Sequence, residues 1–133
     1  MTVFADTAYF IALLNARDAA HAAALGFSRR TFQQIVLTEF ILLELGDALC
    51  NPADRADFLA MDEHTRTNPA HRIIPASPEL LQRGRDLFAA RPDKAWSLTD
   101  CISFVVMNDL AIADALTTDH HFTQAGFRAL LIR

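Results

Sequence analysis

Residues 2–14, TVFADTAYFIALL, open on a short apolar run, pass through one aspartate at position 6, and continue as apolar residues at helical spacing. TVFA reads as a buried strand, and residues 7–15 read as the helix that follows it. The step from strand to helix then recurs along the chain. A second helix is expected over residues 18–27, a second strand over 34–37, and a helix from the cap Thr38 to about Cys50. Asn51 and Pro52 open a further helix that stops at Asn68-Pro69, and residues 72–75 give a third strand. Ser77 with Pro78 starts a helix ending near Arg91-Pro92. SLTD at 97–100 opens a strongly apolar helix to about Leu110, and residues 115–117 and 129–132 supply two last strands. This alternation predicts an α/β fold, with a parallel sheet of about five strands flanked by helices. In such sheets, binding sites gather beyond the carboxyl ends of the strands.

No repeat, low-complexity tract or Pro/Gly-rich linker interrupts the 133 residues, so residues 1–133 read as one unit. Hydrophobic residues make up 52%, a slightly apolar balance from which we expect a covered subunit interface and hence a homodimer. No apolar run approaches the ~20 residues of a membrane span, and MTVFADTAYF lacks the basic start of a signal peptide, so a cytoplasmic protein is expected. Cys50 and Cys101 have no metal-site spacing and read as buried apolar fillers. The net charge of −4 does not advertise a nucleic-acid binder. Local basic spots at Arg29-Arg30, Arg83 with Arg85, and Arg91 with Lys94 read first as solvated helix faces.

Four acids fall where the predicted elements place chemistry. Asp6 follows the first strand directly, and Asp119 follows the fourth, ahead of the helical turn HHFTQ. Each taken alone reads as a helix N-cap. Together they put two carboxylates at equivalent junctions, several Å apart if the strands are neighbours at ~4.8 Å spacing. Asp100 stands three residues after Ser97, the capping-box spacing, at the start of a helix whose apolar run ISFVVM marks it as buried. Glu44 lies mid-helix with Phe40, Ile41 and Ala48 as its helical neighbours. An acid on an apolar stripe is costly unless it is paired, metal-bound or at the helix edge. Glu39 and Asp47 on the same helix read as a first-turn dipole partner and an exposed residue. Acids gathered at one sheet end repel one another unless a cation neutralises them. His120 and His121 point in different directions and read as a polar loop, while His21, His64 and His71 read as surface or structural residues.

The blocks VFADTAYFIALL, VLTEFILLELGDAL, SLTDCISFVVM and LTTDHHFTQAGF, in this order, span nearly the whole chain. The set resembles the PIN-domain nucleases, and most closely the VapC-like toxins of prokaryotic toxin–antitoxin pairs. That resemblance implies a PIN-like three-layer α/β/α fold and a Mg²⁺- or Mn²⁺-dependent endoribonuclease. It implies Asp6, Glu44, Asp100 and Asp119 as the catalytic, metal-binding acids, with Thr7, Ser97 or Thr99, and Thr118 as supporting hydroxyls. It implies an RNA substrate and a cognate VapB-like protein antitoxin as partners. A stand-alone RNA-processing nuclease, or a non-catalytic PIN-like module that binds RNA or protein, would carry the same blocks. Ala8 departs from the Ser or Asn that relatives commonly place after the DT pair.

The oxygen-only donor set agrees with a hard cation, Mg²⁺ or Mn²⁺, bound once or twice. Two rivals fail on single residues. A haloacid-dehalogenase-type phosphatase needs a DxD pair where this chain has Ala8, and a phospho-receiver needs a late-strand Lys, whereas the one lysine is Lys94.

Overall fold

The apolar runs TVFA, QIVLT and DAL become the three inner strands of a five-stranded sheet because each can be covered on both faces. The structure, a computed structural model, describes residues 1–30 and 34–132. Its strands are β1 (Thr2–Ala5), β2 (Gln34–Thr38), β3 (His71–Ile74), β4 (Asp114–Leu116) and β5 (Arg128–Ala129). Their order is β3-β2-β1-β4-β5, and every pairing is parallel. Among the described residues seven helices complete an α/β/α arrangement: α1 (Thr7–Leu14), α2 (His21–Ser28), α3 (Glu39–Ala48), α4 (Arg55–Thr67), α5 (Pro78–Ala90), α6 (Leu98–Asp109) and α7 (His120–Gln124).

Where two helices start later than the sequence expectation, a local hydrogen bond explains the shift. Asp18 Oδ1 accepts from the Ala20 amide at 2.8 Å, so residues 18–20 form a side-chain-closed turn and α2 begins at His21. The Asp54 and Arg55 amides both donate to the Asn51 carbonyl, so residues 51–54 close a turn and α4 starts at Arg55. β3 begins at His71 and ends at Ile74, and β4 begins at Asp114 and ends at Leu116, each one residue ahead of the expected strand. β5 is two residues long. The Leu130 and Leu131 amides still reach the carbonyls of Ala115 and Thr117, but the chain turns away there. Cys101 is buried as expected, whereas Cys50 is exposed because α3 has ended before it.

Two features fix α6, which carries Asp100. Gly84 lets α5 approach it closely: a Cβ at that position would stand 2.3 Å from Ile102 Cγ1. An aromatic cluster then ties α6 to β1 and α7. Phe104 packs edge-on to Phe122 at 4.9 Å and to Trp96 at 5.0 Å, and Phe122 lies 6.4 Å from Phe4. Each such buried ring contributes about 2 kcal/mol, against roughly 1 kcal/mol for one helix cap, so packing outweighs capping in holding these elements together. Phe4 is two residues before Asp6, Phe104 four after Asp100, and Phe122 three after Asp119. The cluster is therefore the common floor beneath three of the four acids.

Candidate metal centre

β1 and β4 are neighbours, in register Ala5 with Leu116, so the residues that follow them emerge side by side. Asp6 occupies the N-cap position of α1, yet its side chain makes no capping bond. Instead the Thr117 hydroxyl donates to Asp6 Oδ2 at 2.7 Å, and the same hydroxyl accepts from the Asp119 amide at 3.0 Å. Thr117 is fully buried and joins the two junctions. Burial pushes the Asp6 carboxyl up to about 7. The Thr117 hydroxyl and the Thr7 amide pull against that rise, and the carboxylates of Asp100 and Glu44 add to it. Asp6 thus lies in the electrostatic reach of both.

Asp100 is held in the capping box that its spacing from Ser97 predicts. Ser97 Oγ accepts from the Asp100 amide at 3.0 Å, and Asp100 Oδ2 accepts from the Ser97 amide at 3.1 Å. The same carboxylate oxygen lies 3.0 Å from His121 Nδ1. Asp119 does cap α7, accepting from the His121 amide at 2.8 Å, and its Oδ1 lies 3.4 Å from the His121 ring nitrogen. Asp100, Asp119 and His121 each offer a ligand atom within 4.8 Å of the others. Asp6 and Glu44 stand outside that trio. Glu44 is half-buried on the rim of the α3 stripe formed by Ile41, Leu42 and Leu45, and its Oε1 accepts from the Thr7 hydroxyl at 2.5 Å.

The supporting hydroxyls divide. Thr7 holds Glu44, and Ser97 is committed to its cap. Thr99 is half-buried in the first turn of α6, and among the described residues its side chain has no hydrogen-bond partner. Thr118 is exposed and borders a separate hollow of about 420 Å³ with Asp18, His120 and Leu131. Thr117, one residue earlier, is the hydroxyl that reaches the acids, because successive side chains alternate across a sheet. The TT pair announced a hydroxyl here, and only the strand register chooses between them.

His121 is the other residue that sequence reasoning set aside. The two histidines do diverge: His120 is exposed and faces a hollow of about 610 Å³ beside Asp114, Thr123 and Arg128. Divergence is what turns His121 inward. Its signal was its place two residues after a capping Asp, whose accepted amide fixes that turn of helix. The basic spots are largely paired on the surface: Arg83 with Asp109, Arg91 with Asp93, and Arg85 with Gln82.

The donor chemistry fits a divalent cation. Carboxylate oxygens predominate, one imidazole nitrogen joins them, and no thiol belongs to the trio. A buried carboxyl pushed to about 7 beside two further acids is also the environment a cation relieves.

No known family profile matches the chain, and no curated protein matches it in sequence. Solved structures do. VapC20 of Mycobacterium tuberculosis, a sarcin–ricin loop cleaving toxin, superposes with a TM-score of 0.84 at 24% identity, covering 94% of this chain and 95% of that one. The chain has a PIN-like fold. VapBC2 from Rickettsia felis, bound to a DNA fragment from its promoter, gives a TM-score of 0.68 at 12% identity, with 97% of each chain covered. FitAcB from Neisseria gonorrhoeae gives 0.63 at 16%, over 97% of this chain and 95% of that one. The PIN-like fold places the carboxyl ends of β1 and β4, with Asp6 and Asp119, beside the N-terminus of α6.

Proposed function

We propose that this chain is a divalent-cation-dependent endoribonuclease that acts as the toxin of a toxin–antitoxin pair, with Asp6, Glu44, Asp100 and Asp119 holding Mg²⁺ or Mn²⁺. The observation that carries this reading is the meeting of Asp100 and Asp119 beside the buried Asp6, at the carboxyl end of a sheet folded like that of VapC20. A bound divalent cation neutralises charge gathering on the scissile phosphate and makes an attacking water more acidic.

The chain's own residues supply position. Thr117 fixes the Asp6 carboxylate, the capping box fixes Asp100, and Thr7 fixes Glu44, so the acids need little reordering to receive a cation. Arg91, stacked over Trp96 at 5.1 Å, and Lys94 lie on the segment leading into Ser97 and Asp100, and we assign them to the RNA backbone, with a phosphate replacing Asp93 as the partner of the Arg91 guanidinium. Single-stranded or looped RNA, whose bases can splay out, is the substrate class. A VapB-like antitoxin is the expected protein partner. The exposed side chains of Leu43 and Leu59 support a homodimer, which light scattering would measure directly.

The deciding experiment incubates the purified chain with Mg²⁺ or Mn²⁺ and RNA that includes a sarcin–ricin loop oligonucleotide. We expect cleavage that chelator removes, and a loss of about a hundredfold or more in Asp6→Asn and Asp100→Asn with circular dichroism unchanged. Parental cleavage rates in either variant would refute the assignment.

A further inference from the structure

We propose that His121 is a direct nitrogen ligand of the cation in this centre and that it makes the site select Mn²⁺ over Mg²⁺; this rests on the metal-dependent reading above. The imidazole is held in place before any cation arrives. The Asp119 carboxylate accepts the His121 amide at 2.8 Å, and the next residue, Phe122, is fully buried against Phe4 and Phe104. Backbone capping on one side and aromatic packing on the other leave the ring facing the acids.

Its ring nitrogen lies 3.0 Å from Asp100 Oδ2 and 3.4 Å from Asp119 Oδ1. Adjacent ligands of an octahedral ion with bonds of about 2.1 Å are separated by the bond length times the square root of two, or about 3 Å. The His121 nitrogen therefore stands at the spacing of an adjacent ligand from one oxygen of each carboxylate, all three donors lie within 4.8 Å of one another, and they arise from two elements, α6 and the β4–α7 junction, that the core locks together.

Donor type sets the selectivity. Mg²⁺ dehydrates reluctantly and takes oxygen ligands, whereas first-row transition ions accept imidazole readily, and Mn²⁺ is the member of that series that shares the taste for carboxylate. Four acids alone would discriminate less between the two ions, since carboxylate oxygen suits both. One nitrogen in the set favours Mn²⁺.

A competing role gives the opposite sign. If His121 only bridges the two carboxylates as a hydrogen-bond donor, a cation must displace it, and its removal tightens Mn²⁺ binding. Calorimetry with Mn²⁺ alone, and with Mg²⁺ alone, on the wild-type chain, His121→Gln and Asp100→Asn separates these. We expect wild-type Mn²⁺ affinity to exceed Mg²⁺ affinity by roughly tenfold or more. His121→Gln should weaken Mn²⁺ by a similar factor and Mg²⁺ by much less, while Asp100→Asn should weaken both.

Pulsed electron paramagnetic resonance of wild-type protein loaded with Mn²⁺ should show coupling to a coordinated nitrogen, a measurement that needs no variant to fold. Absence of that coupling, or equal or tighter Mn²⁺ binding by His121→Gln, overturns the ligand role. If Asp100→Asn also binds Mn²⁺ as wild type does, the carboxylate centre itself fails, and the proposed nuclease function with it.

Discussion

Asp6 and Asp119 stand at matching positions, each the N-cap residue of a helix that follows one of two neighbouring parallel strands, yet they are used in opposite ways. Asp119 is about one-third exposed and spends an oxygen on the His121 amide. Asp6 is 6% exposed, caps nothing, and has its carboxyl pushed up to about 7. The difference is depth. Helix capping needs only local geometry, whereas a carboxylate sunk between β1, β4 and two further acids is costly to ionise whatever its local geometry. Of the two, Asp6 is the acid that burial makes costlier to ionise.

The largest test of this contrast is the pH dependence of metal-free stability. An unfolded Asp titrates near 3.9 and folded Asp6 at about 7, so the folded form holds its proton over a range where the unfolded form has lost it. The Asp6 contribution to stability is therefore complete below about pH 4 and is lost as pH rises through 7. In chelator, denaturant unfolding of Asp6→Asn should gain on wild type by a few kcal/mol between pH 4.5 and 8. Saturating Mn²⁺ should shrink the gap by stabilising wild type. A pH-independent difference would mean that Asp6 ionises at no cost.

A smaller effect is expected from the hydroxyl that links the junctions. Thr117→Val keeps the shape and removes the donor to Asp6 and the acceptor for the Asp119 amide. It should destabilise the metal-free protein at pH 8 by about 1–3 kcal/mol, and less at pH 5, where a protonated Asp6 asks less of its partner. Thr118→Val, changing an exposed side chain, should stay within about 0.5 kcal/mol.

Asp119 provides the smallest and sharpest contrast. Asn caps as well as Asp, so Asp119→Asn should leave stability nearly unchanged, whereas Asp119→Ala should cost about 1 kcal/mol in thermal or denaturant unfolding. Both should impair cation binding. Equal losses of stability would show that the cap at Asp119 contributes nothing.

The same contrast explains what could be read from residues alone. Strand–helix alternation and the Ser97–Asp100 capping box depend on neighbours in sequence, and the structure has both. That β1 and β4 lie side by side was only a condition in the sequence reading, since no local pattern states a strand order. The choice of Thr117 over Thr118 needed the phase of β4, because its two residues lie on opposite sides of a strand end. His121 stayed hidden for a related reason. Its role arises from Asp100, 21 residues earlier, and no spacing within HHFTQ encodes that meeting.

The aromatic floor has an optical consequence. Trp96 is the one tryptophan of the chain, and it sits immediately before the Ser97 cap with its ring against Phe104, its indole N–H donating to Gln124 Oε1 at 3.1 Å, and the Arg91 guanidinium above it. Its emission therefore samples the joint between α6 and α7, the two helices whose residues Asp100 and His121 meet. The molecule carries its own fluorescent gauge, placed to test the proposed binding of a cation at the acids and of RNA at Arg91 without a label attached to either.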